Sequence, residues 1–176
     1  LKRLAKTTIY SVLLSSMLLS ACSSQTNSTG SATNAHEANS GNHGDHQTAS
    51  GDLQETTASL DILPTFLDGA SDNLRIAYQT AATVTDVLPY IPCYCGCGES
   101  AGHQSNLNCF IADIEEDGSV VWDDHGTRCG VCIEIAVTTA AMKSSGIEVE
   151  RIRQIIDETY KEGYAKPTQT KLPPAS

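Results

Sequence analysis

The sequence predicts an α+β domain, mainly helical, in which about three helices and one short β-hairpin surround a cysteine-rich site. Three observations predict it. Apolar residues recur at helical spacing in two stretches, and a third helical run between them is closed by Gly146. Two short strand-like runs flank a single Glu-Asp-Gly turn. Six of the seven cysteines lie between Cys93 and Cys132. In chain order, Leu74, Ala77, Tyr78, Ala81, Val84 and Leu88 define an amphipathic helix over 72–87, opened by Ser71 or Asp72 and ended by Pro89 and Pro92. Cys109 to Ile114, the turn at 116–118, and Ser119 to Trp122 form the hairpin. Residues 130–145 form a second helix, closed by Gly146. Val149, Ile152, Ile156 and Tyr160 line one face of a third, closed by Gly163. These stripes are core, and a core this small leaves room for covalent or metal staples.

The N-terminal third has a different character. Within residues 1–21, Lys2, Arg3 and Lys6 precede a short apolar run from Ile9 to Leu19, the pattern of an export signal. Leu19-Ser20-Ala21-Cys22 then resembles a bacterial lipobox, which implies that Cys22 becomes a lipidated anchor. Residues 22–57 are rich in Ser, Thr, Asn and Gly and are expected to be a flexible tether. His36, His43 and His46 within it are solvated filler or a loose metal-catching tract. The Cys-rich domain is then assigned to 58–166, followed by a disordered tail over 167–176.

Charge narrows the function classes. The whole chain carries 11 basic and 21 acidic residues over 176 positions. Without the three basic residues of the signal the balance is −13. No basic face is available to replace counterions on phosphate, so nucleic acid is excluded as a general partner. Charge-driven adsorption to anionic lipid is disfavoured for the same reason, and cations are attracted.

The chemistry resides in Pro92-Cys93-Tyr94-Cys95-Gly96-Cys97-Gly98, in His103 and Cys109, and in His125-Gly126-Thr127-Arg128-Cys129-Gly130-Val131-Cys132. The literal hexapeptide from Pro92 to Cys97 resembles that of the bacterial lipoproteins defined by a PCYCGC motif, a family without an established biochemical role. The resemblance covers about residues 60–165 and implies an extracytoplasmic position on the cell membrane, held by the lipid on Cys22. It implies no mechanism.

Three explanations of six clustered cysteines stay open. A disulfide-stapled interaction module suits an oxidising exterior. Pairs within Cys93, Cys95 and Cys97 would be strained, however, so each must find one of Cys109, Cys129 and Cys132. A thiol–disulfide oxidoreductase would use Cys129 and Cys132 at a helix N-terminus, where the macrodipole favours a thiolate. That leaves four cysteines without a role. A metal site uses Cys93, Cys95, Cys97, Cys109, Cys129 and Cys132 as thiolates, with His103 and His125 as imidazole ligands.

Charge favours the metal. Between Cys93 and Cys132, seven acids face only Arg128, a balance of −6 before any thiol ionises. Further thiolates are repelled unless cations bind and displace their protons. Asp123 and Asp124 stand where they could orient the His125 ring. Soft thiolates select copper(I), zinc or iron–sulfur centres. Copper leads because closely spaced thiols suit low-coordinate Cu(I). Zinc is the structural competitor, and iron–sulfur is disfavoured outside the cell. Capture, storage or delivery to a metalloprotein partner at the surface is the function this implies. No phosphate-cradling loop, HExxH or GxSxG supports an enzyme, although a Cys–His nucleophile stays open.

Overall fold

The computed structural model describes residues 46–174. The expected export signal at 1–21, the expected anchor Cys22, and His36 and His43 lie outside the described residues. The strands are β1 (His46–Gln47), β2 (Leu53–Thr57), β3 (Ile111–Ile114) and β4 (Val120–Asp123). The helices are α1 (Asp72–Ala82), α2 (Cys97–Ser100), α3 (Gly130–Ser144) and α4 (Val149–Tyr160). The class is therefore α+β. It is less helical than the sequence suggested, because the hairpin is half of an antiparallel sheet ordered β1-β2-β4-β3.

The unexpected half comes from residues assigned to the tether. β2 pairs with β4 in the register Glu55↔Trp122 and Thr57↔Val120. Its buried face carries Glu55 and Thr57 rather than aliphatic side chains, so it has no hydrophobic alternation to detect. Each polar group is satisfied individually. The Glu55 carboxylate accepts from the Thr65 and Phe66 amides and the Thr65 hydroxyl at 2.7–3.2 Å. Thr57 accepts a 2.8 Å bond from the buried Trp122 indole. Burial without such partners would be costly.

The predicted hairpin is present, with a bulge between Ile111 and Asp113. Helix α1 starts where expected, with the Ser71 hydroxyl accepting from the Leu74 amide. It stops at Ala82 rather than residue 87. Thr83, Val84 and Thr85 are β-branched, and the Thr83 hydroxyl bonds the Thr80 carbonyl at 2.7 Å, which competes with helix propagation. Val84, Val87 and Leu88 still reach the core through turns. Helix α3 packs against both α1 and α4. The core joins sheet and helices around Tyr78, Phe110 and Trp122. No helix among the described residues is long and apolar enough to cross a membrane.

The C-terminal segment also departs from expectation. Within the supposed tail, Thr168 is buried and docks on the cysteine loop. Its amide donates to the Cys93 carbonyl, and its hydroxyl accepts from the Cys93 amide, both at 3.0 Å. Ala165 donates to the Tyr94 carbonyl at 3.1 Å, and the Thr170 hydroxyl bonds the Gln104 carbonyl at 2.9 Å. These bonds satisfy backbone groups of a loop that belongs to no regular element.

Candidate metal centre

The hexapeptide loop is held at its aromatic residue. Tyr94 stacks on Tyr160 of α4, with ring centroids 5.6 Å apart, and its hydroxyl donates to Asp157 at 2.7 Å. With Pro92 to Tyr94 buried, Cys95 is left partly exposed. Gly96 adopts φ +92°, a left-handed conformation that turns the chain into α2 and brings Cys97 inward. Cys129 caps α3, and Cys132 projects from its first turn into the core.

All eight candidate ligands meet. Cys93, Cys95 and Cys132 form a triangle of sulfurs with edges of 3.4, 3.2 and 3.5 Å. Cys97 lies 3.7 Å from Cys109, whose sulfur is 3.5 Å from His103 Nδ1. Three four-residue groups have all their donor atoms within 4.8 Å of one another. They are Cys93, Cys97, Cys109 and Cys132; Cys95, His125, Cys129 and Cys132; and Cys97, His103, Cys109 and His125. Two thiolates on one tetrahedral zinc, each about 2.3 Å from the metal, sit about 3.8 Å apart. The observed spacing lies close to that of donors sharing an ion, and none of the six cysteines is joined in a disulfide.

His125 is aimed by a residue from the supposed tether. Its Nδ1 lies 3.2 Å from the Asp52 carboxylate, and its Nε2 lies 3.9 Å from Cys95 Sγ. Asp52 also accepts from Ser50 and is paired with Arg128. This corrects the expectation that Asp123 or Asp124 orients the ring. Asp123 instead accepts from the His125 amide and from Gln54, both at 2.9 Å. Asp124 is spent on Arg128 and the Leu53 amide. A carboxylate behind a ligating imidazole fixes its tautomer and raises its basicity. The order thiol, imidazole, carboxylate also occurs around cysteine nucleophiles. Here Cys95 has two further sulfurs within 3.5 Å.

The turn bearing His125 needs its glycine. A Cβ on Gly126 would lie 2.8 Å from the Phe110 ring and 2.9 Å from the Cys109 carbonyl oxygen. The His103 and His125 rings meet edge to face at 4.8 Å, linking the groups. His46 lies in β1, bonded to Gln54, and joins none of them. A polar cavity of about 340 Å³ opens beside His103, with Asp52, Gln54 and Asp123 in its lining.

The metal-free electrostatics show protons unevenly shared. Hydrogen bonds from neighbouring thiols, Cys109 foremost, hold Cys93 down to about 4, and they hold Cys95 far below the ordinary thiol range. Cys132 is pushed well up, chiefly through Cys109 and Cys129. The Cys95 sulfur, with further help from Asp52, raises His125 to about 9 against the cost of burial. Burial lowers His103, keeping that imidazole neutral and its lone pair available. A bound cation would replace these shared protons.

The molecule is thus an α+β domain whose cysteines and two of its histidines converge on one centre. The chain belongs to the family described as protein of unknown function with PCYCGC motif, matched over residues 11–173. No curated protein and no solved structure matches it.

Sequence reasoning found all eight converging residues but missed Asp52, Gly126 and Thr168. Asp52 and Thr168 sit in polar stretches with no local signal. Gly126, between His125 and Thr127, is a tight-approach glycine only once Phe110 is placed against it.

Proposed function

We propose that this protein binds soft metal ions at the extracytoplasmic face of the cell membrane, copper(I) ahead of zinc, for capture or delivery to a surface metalloprotein. The observation that carries this reading is the convergence of six unbonded thiols and two imidazoles from three chain segments. A donor set this rich in sulfur selects soft cations, and carboxylates beside the imidazoles add attraction for positive charge. The membrane position rests on the signal at 1–21 and on lipidation of Cys22. One feature supports a rival use of the same residues: Cys129 and Cys132 stand three apart at the start of α3, as a dithiol redox pair would.

The test is anaerobic purification of the full chain, followed by elemental analysis and thiol counting after denaturation with and without reductant. Stoichiometric copper or zinc with six reduced thiols beyond Cys22 is expected. No metal and no free thiols would establish disulfide staples instead. Reversible oxidation confined to Cys129 and Cys132, again without metal, would establish a redox pair.

A further inference from the structure

The three ligand groups overlap, and the overlap has a definite form. The first and second share Cys132, the first and third share Cys97 and Cys109, and the second and third share His125. No two of these cysteine-bearing groups are disjoint, so two soft ions cannot be held in separate complete ones; the remaining group, Asp52, His103 and Asp123, offers no sulfur and suits harder cations. An imidazole nitrogen has one lone pair for a metal, and the other nitrogen of His125 is turned to Asp52. His125 therefore serves one ion only. A thiolate sulfur retains several lone pairs and can bind two cations together.

The first and second groups combined use every one of the six clustered cysteines, with His125 as the imidazole and one sulfur in common. That sulfur is Cys132, fully buried and 3.2 and 3.5 Å from the sulfurs of Cys93 and Cys95, which belong to different groups. On the metal-binding reading, we infer that the centre holds at least two soft cations at once, bridged by the Cys132 thiolate. His103 then lies at the edge of the centre, beside the polar cavity, as the first imidazole an incoming ion meets.

The experiment titrates the anaerobic full chain with Cu(I) and, in a second arm, with Zn(II). Ions per chain are counted by native mass spectrometry, and metal–metal scattering is sought by X-ray absorption. Two or more ions per chain with metal–metal scattering in either arm is the expected result, and the arm that shows it identifies the cation. A plateau at one ion in both arms, or two ions without metal–metal scattering, would overturn the shared sulfur while leaving metal binding intact. No uptake in either arm would overturn both.

Cys129 belongs to the second group alone. Cys129→Ser should therefore lower capacity by one ion, whereas Cys132→Ser should weaken both sites. Equal losses from the two variants would overturn the bridging role. Because Cys132 is buried, the circular dichroism of its variant is compared with wild type, and the wild-type scattering decides if that variant does not fold.

Discussion

Cys132 reaches Cys93 and Cys95 across 39 and 37 residues, whereas Cys109 reaches Cys97 and His103 across only 12 and 6. The first corner of the centre is assembled by the hexapeptide loop, the start of α3 and His125, whose ring is held by Asp52 just before β2. The second is one local loop. The contrast teaches that an ion bound in the first corner would be linked to folding of the whole domain, because its donors are scattered in the unfolded chain. The donors of the second are already near one another along the chain before it folds.

The sharpest way to break that contrast is to disarm each corner separately. Cys93→Ser with Cys95→Ser removes a donor from both bridged groups, whereas Cys97→Ser with Cys109→Ser leaves Cys95, His125, Cys129 and Cys132 complete. The first pair should abolish most metal uptake and the metal-induced rise in melting temperature. The second should retain one ion and part of that rise. Equal losses would show that the corners do not differ.

Gly126→Ala tests the turn that joins the corners. The added methyl would crowd the Phe110 ring and the Cys109 carbonyl at under 3 Å. Overpacking of this kind costs about 3 kcal/mol at its upper end. Denaturant unfolding of the metal-free protein should show that loss with an unchanged slope. A loss below about 0.5 kcal/mol would mean the turn shifts freely.

Asp52→Asn keeps the shape and removes the charge behind His125. Metal affinity should fall about 10–100-fold at unchanged stoichiometry, measured by chelator competition. In the metal-free protein the raised His125 contributes stability that is complete below its ordinary 6.5 and lost as pH rises through about 9. The variant should narrow that window from the alkaline side, visible as a lower His125 titration midpoint by NMR. An unmoved midpoint would leave Cys95 as the sole cause of the shift.

What the sequence disclosed follows the same division. Helix α4 was legible because its apolar stripe reports burial directly, α3 because Gly146 marks its end, and the eight converging residues because thiol and imidazole are rare and chemically loud. Strand β2 was not legible. Its inward residues, Glu55 and Thr57, are polar and become intelligible only when Thr65, Phe66 and Trp122 supply their hydrogen bonds. The ring partner of His125 was sought among its neighbours in sequence. Asp123 has a shorter-range task there, capping the turn through the His125 amide, which left the ring to a carboxylate 73 residues away.

The smallest effect concerns the C-terminal segment, which touches the hexapeptide loop but contributes no donor. Thr168→Val preserves side-chain shape and deletes the acceptor for the buried Cys93 amide. An amide left without a partner at a buried site costs about 1–2 kcal/mol. Because the Thr168 amide still bonds the Cys93 carbonyl, the loop should stay in place and bind metal in the same ratio. The Cys93 amide should then exchange with solvent faster than in the parent, and Thr168→Ser, which restores the hydroxyl, should slow it again. Unchanged exchange in the valine variant would show that the Thr168 hydroxyl does not protect this amide, and the segment's hold on the loop would then rest on the bonds from the Thr168 and Ala165 amides.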